Sequence, residues 1–175
     1  MKKTKKIAMC GMLAAFITVI CLAAYFPYLT YALPALAGAV IIVPLFEMGK
    51  KYAFFTYLTS LLPVLIFAEN EAKLLYVCFF GFYPILKSVY EKSKSRIAEY
   101  TLKFLTFNIS VITVYILLSK LFFIDMSDMG VLGKYGAVIL LVCGNVVFFI
   151  YDICLARLAI FYQIKLRRHL TKFFK

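Results

Sequence analysis

Met1-Lys2-Lys3-Thr4-Lys5-Lys6 runs directly into Ile7-Ala8-Met9-Cys10-Gly11-Met12-Leu13-Ala14-Ala15-Phe16-Ile17-Thr18-Val19-Ile20-Cys21-Leu22-Ala23-Ala24-Tyr25-Phe26: four lysines, then 20 residues without a charge. A helix needs about 20 apolar residues to cross the hydrocarbon of a bilayer. The same alternation of basic cluster and apolar run continues along the chain. Lys50 and Lys51 form the next cluster, Lys87, Lys92, Lys94, Arg96 and Lys103 the third, and Arg157, Lys165, Arg167, Arg168, Lys172 and Lys175 the fourth. Those four clusters hold 17 of the 20 basic residues. The connections between them hold only Lys73, Lys120 and Lys134, beside Glu69, Glu71, Asp125 and Asp128. Cytoplasmic loops of membrane proteins carry such an excess of Lys and Arg. The pattern predicts an all-α bundle of six transmembrane spans, multi-pass in the cell membrane, with both termini in the cytoplasm.

Composition agrees. Of 175 residues, 65% are hydrophobic and 16% are charged. A soluble domain of this size has no core large enough to hide that much apolar surface. Six spans use most of the chain, so residues 1–175 read as one integral membrane domain. The spans are expected at about 7–26, 32–47, 52–68, 73–90, 104–123 and 136–161. All are helices, because an open strand edge cannot sit in lipid. The basic start and Ala23-Ala24 are like a secretory leader, but the run is long enough to span and more spans follow, so an uncleaved first helix is expected.

The net charge of +12 is explained by insertion topology and attraction to anionic lipid, so membrane lipid is the expected partner and nucleic acid is not. Cys10, Cys21, Cys78, Cys143 and Cys154 all fall in apolar runs, form no CxxC pair and read as small buried hydrophobes. His169 stands alone, so no metal site is expected, and no cofactor fingerprint is present. HExxH, GxSxG and Walker motifs are absent too, and the expectation is a non-enzyme.

Polar residues inside the spans are few. Asn108 lies in span five with Ser110 and Thr113, and Asn145 and Asp152 lie in span six. Seven residues is nearly two turns, so Asn145 and Asp152 share a helix face. That face should look into the bundle, since an unpaired polar group in lipid is costly. Two readings stand: an interhelical clamp, Asn108 to Asn145 with Asp152 on Arg157 or Lys103, or the polar wall of a ligand pocket. Span four is short, and Lys87 at its end is expected to snorkel to the interface; the alternative is that it faces the bundle.

Ala8, Gly11 and Ala15 line one side of the first helix, and Gly11-x3-Ala15 is a small-xxx-small pair that permits close helix approach. Such a stripe either packs internally or docks a separate membrane protein. The opening Lys5-Lys6-Ile7-Ala8-Met9-Cys10-Gly11-Met12-Leu13-Ala14-Ala15, together with six spans and cytoplasmic termini, resembles the S components of energy-coupling-factor transporters. The resemblance implies a substrate-binding membrane subunit that captures a vitamin-like organic solute from outside. It also implies docking, through Ala8, Gly11 and Ala15, onto a transmembrane coupling subunit served by ATPases. Gly11 departs from the family's usual alanine pair, and the N-terminal histidine motif of its metal-binding branch is missing. The alternative class is a non-transport membrane scaffold or envelope-assembly protein. For a solute arriving from outside, the groups in the outer half of the bundle are Tyr28, Tyr31, Asn70, Tyr76, Tyr135 and Asn145, with Glu69 and Glu71 nearby. Aromatic walls with a few convergent polar groups suit a flat organic molecule. The 68–73 and 124–135 connections are the expected lids.

Overall fold

A computed structural model of the chain describes residues 3–26, 28–92, 95–121 and 136–167. Among them every regular element is helical. Helix α1, Lys3–Leu22, continues as a 3-10 turn, Ala23–Tyr25. Next come α2, Ala32–Val40, and α3, Ile42–Glu47, separated at Ile41. Pro44 has no N–H to give the Val40 carbonyl, so the helix breaks there although the apolar run does not. Gly49, at a φ of +91°, turns the chain into α4, Lys50–Phe67. A side chain is strained at that φ, and glycine is not.

The expected span 73–90 begins earlier and is not one helix. It is α5, Asn70–Leu75, then a π-helical segment, Tyr76–Phe80, then α6, Tyr83–Tyr90. Gly81 donates to the Tyr76 carbonyl at 2.8 Å, five residues back. Pro84 cannot donate to the Phe80 carbonyl, so the regular helix is interrupted there and α6 starts afresh, with Ile85 and Leu86 both donating to Phe82. Helix α7, Arg96–Leu121, starts well before the expected residue 104 and absorbs the basic segment 96–103. Helix α8, Gly136–Phe161, runs on through a π turn, Tyr162–Leu166.

Four helical stretches are long and apolar enough to cross a membrane: Lys3–Tyr25, Asn70–Tyr90, Arg96–Leu117 and Leu141–Lys165. This is the build of a multi-pass membrane protein, with lipid against its outer faces. Ala32–Glu47 is a shorter apolar helix, and the 18-residue α4 opens on two lysines; neither is among the four.

Two cores organise the packing. In the first, α1 lies along α4 and α2 and encloses Ile17, Cys21, Ala37, Ile41, Ala53, Tyr57, Val64 and Tyr76. In the second, α3 and the interrupted helix meet α8 around Ile42, Phe79, Tyr83, Phe148, Leu155 and Tyr162. The backbones of α2 and the π segment touch: a Cβ on Gly38 would overlap the Phe80 carbonyl oxygen and lie 2.9 Å from its carbon. Only glycine permits that approach. Tyr57 of α4 closes the gap in the π segment by donating to the Val77 carbonyl at 2.8 Å.

Candidate functional site

The polar residues of α7 and α8 form two layers separated by aromatic rings. In the first layer Asn108 and Asn145 exchange amide hydrogen bonds at 3.2 and 3.1 Å. Each amide also donates to its own preceding turn at 2.8 Å, Asn108 to Phe104 and Asn145 to Leu141. One turn further on, Phe148 stacks on Phe107 with centroids 4.7 Å apart and meets Phe79 and Tyr83 edge-on.

The second layer centres on Asp152. Its Oδ1 accepts from the Tyr83 hydroxyl at 2.6 Å and from Lys87 Nζ. Its Oδ2 accepts from Lys103 Nζ at 3.1 Å, and Lys87 also donates to the Asp152 backbone carbonyl at 2.9 Å. Asp152, Lys87 and Lys103 are all buried. Two further carboxylates flank the lysines: Glu91 is 3.4 Å from Lys87, and Glu99 is 2.7 Å from Lys103. Asp152 is therefore shared by α6, α7 and α8.

The clamp is what brings these residues together, since Asn108 meets Asn145 and Lys103 meets Asp152. Arg157 is not among the partners of Asp152 shown. Lys87 is the correction: it does not snorkel but turns into the bundle, where a carboxylate, a carbonyl and Glu91 satisfy its three donors. Sequence reasoning did not connect Tyr83 to this site. The available signal was spacing, since Tyr83 and Lys87 are four residues apart and share one face of α6.

The residues expected around a solute are dispersed. Tyr28 is 98% exposed and has a φ of +74°, a left-handed conformation uncommon outside glycine. Tyr31 is exposed, and its hydroxyl donates to Glu71 Oε2 at 2.8 Å; that bond pushes its pKa above the ordinary 10.0. Asn70 is exposed at the start of α5. Tyr76 is fully buried in the first core, with its hydroxyl 2.7 Å from Ser60 Oγ. Asn145 is committed to Asn108. Tyr135 and the 124–135 connection lie outside the described residues, whereas 68–73 is the short extended link at Ala68 and Glu69 followed by the start of α5.

On α1, Ala8, Gly11 and Ala15 are exposed, and a Cβ added to Gly11 would meet nothing within 4 Å. Gly11, Ala15 and Thr18 floor an open groove of about 430 Å³, walled on the α4 side by Thr59 and Pro63. All five cysteines are free thiols, and among the described residues no three His, Cys, Asp or Glu side chains gather to hold a metal ion. Comparison with known proteins finds no matching family model, no matching curated protein and no matching solved structure.

Proposed function

We propose that the protein is a six-span membrane subunit with cytoplasmic termini. In this reading it captures a small vitamin-like solute from outside and hands it to a transmembrane coupling subunit driven by ATPases. The observation that carries the reading is the exposed face of α1. Ala8, Gly11 and Ala15 stay uncovered in the folded chain, and the groove beside them is shallow and apolar. Lipid tails are as apolar as the helix, so a small-residue face gains most from close packing against another helix backbone. With no nucleotide-binding motif in the chain, energy for uptake comes from the partner. Counting Ala32–Glu47 and Lys50–Phe67 as the second and third spans gives the six-span topology, with Asn70 at the outer face.

A second reading, a non-transport scaffold, draws support from the polar groups of the expected pocket. Asn145 and Tyr76 already satisfy Asn108 and Ser60, and neither needs a ligand.

Copurification from native membrane decides between the two. Under the transport reading, the tagged protein brings down a membrane subunit with ATPases, and Gly11→Leu with Ala15→Leu abolishes this while the monomer stays folded. Loss of the folded monomer instead assigns the stripe to internal packing. Mass spectrometry of the purified protein then looks for an organic ligand whose retention falls on Asn145→Leu or on truncation of Tyr31 or Tyr76. Recovery of envelope-assembly proteins with no ligand supports the scaffold.

A further inference from the structure

We infer that the groove between α4 and α6 is a binding site for one anionic phospholipid. Its headgroup is held by Lys50 and Lys51, and an acyl chain lies along Phe54, Tyr57, Phe82, Ile85 and Leu86. Those apolar and aromatic side chains line an open recess of about 270 Å³. No polar atom shows on its surface, and the Tyr57 hydroxyl is turned away to the Val77 carbonyl. Phe54 is half exposed on α4. Helix α4 lies along α1, which is long and apolar enough to cross a membrane, so the recess opens on hydrocarbon. Lipid tails are as apolar as the side chains they would replace, so an apolar recess by itself does not choose its occupant. The charge at its end does.

Lys50 and Lys51 precede Phe54 by about one turn of an unbroken helix, so both stand at the end of the recess on its face of α4. Lys6 Nζ lies 5.0 Å from the centre of the Tyr52 ring, which sets the lysines of α1 at the same height. Lys3, Lys5, Lys6, Lys50 and Lys51 thus gather where α1 and α4 begin. Glu47, the carboxylate closest in the chain, is already engaged by Arg167 Nε at 3.2 Å and by the Tyr162 hydroxyl at 3.4 Å. Among the described residues no carboxylate pairs with Lys50 or Lys51. On α6, Lys87 and Glu91 are spent on Asp152 of α8 and Lys103 of α7. The phosphodiester of an anionic lipid supplies the missing negative charge, whereas a zwitterionic headgroup brings a cation of its own. In the six-span topology this is the cytoplasmic leaflet, and only that label rests on the proposed topology.

The test uses the full chain in nanodiscs of equal phosphatidylglycerol and phosphatidylcholine with the same acyl chains. Phe54→p-benzoylphenylalanine puts a photoreactive ring in the recess. Ile153→p-benzoylphenylalanine puts one at an exposed position of α8, level with α6 because the neighbouring Asp152 bonds Tyr83 and Lys87. Irradiation and mass spectrometry of the protein give the ratio of the two lipid adducts. At position 54 the phosphatidylglycerol adduct should exceed the other roughly fivefold, the effect of one lysine at a charged membrane surface. Lys50→Gln with Lys51→Gln should bring that ratio down to the one at position 153. Arg157→Gln with Lys165→Gln removes the same charge from exposed positions beyond the recess and should leave it unchanged. Equal ratios at positions 54 and 153 overturn the site and leave only general attraction of a basic protein to anionic lipid. A ratio at position 54 indifferent to Lys50→Gln with Lys51→Gln overturns it too. A protein–protein adduct at position 54 in place of lipid assigns the recess to a second copy instead.

Discussion

Gly38→Ala and Gly11→Ala are the same change on two helices of one fold, with opposite expected results. At Gly38 the new Cβ overlaps the Phe80 carbonyl oxygen, lies 2.9 Å from the Phe80 carbon and 3.1 Å from its Cβ. Ordinary carbon–oxygen contacts fall at about 3.3–3.6 Å. The opposing atoms are mostly backbone, and the Tyr57–Val77 and Ser60–Tyr76 bonds hold that backbone in place. Helix α2 must therefore back away and loosen the first core. Overpacking of this kind costs about 1–3 kcal/mol, against which alanine returns at most about 1 kcal/mol of helix propensity. At Gly11 nothing lies within 4 Å, so only the propensity gain remains. Gly38→Ala should lower stability by roughly 1–2 kcal/mol, while Gly11→Ala should range from neutral to about 1 kcal/mol more stable. Unfolding of both variants and wild type by SDS titration from mixed micelles measures the difference directly. Equal stability of Gly38→Ala and wild type, or an equal loss in Gly11→Ala, refutes the close-approach argument.

Asn108→Leu alone strands the Asn145 amide and should cost about 1–2 kcal/mol in the same titration, whereas Asn108→Leu with Asn145→Leu should recover most of the loss. The phenol of Tyr31 should ionise above its ordinary value, and Glu71→Gln should bring it part of the way back, since burial and Glu69 still raise it, read by ultraviolet absorbance against a Tyr31→Phe blank. Its folded-state pKa is raised, so its contribution to stability is present below about pH 10 and fades as pH rises further. A cysteine introduced as Asn70→Cys in a cysteine-free chain should react with an impermeant thiol reagent from outside the cell; reaction only from the cytoplasm rules out the six-span topology with cytoplasmic termini.

The apolar runs between basic clusters were enough to read the chain as helical and to place α1 and α8, because hydropathy and charge are properties of local sequence that lipid reads directly. The run 136–161 matches α8, and 7–26 matches α1 with its 3-10 turn. Breaks within a run were less legible. Pro44 and Pro84 mark them, but Pro63 sits inside an unbroken α4, so a proline alone does not say whether neighbouring groups compensate for the missing donor.

Asn145 and Asp152 were assignable to one inward face from periodicity alone, since that face follows from helix geometry. Their partners were not, because pairing depends on which helices lie side by side. Lys87 shows the physical reason. An isolated helix in lipid sends such a lysine to the interface, where water solvates the ammonium. In the folded chain a carboxylate 65 residues away, the backbone carbonyl of that same residue and a glutamate one turn on take the place of interfacial water. Sequence by itself determined that this chain is helical, apolar and sided in charge. Only the packing of α6 and α7 against α8 decided that its buried charges neutralise one another.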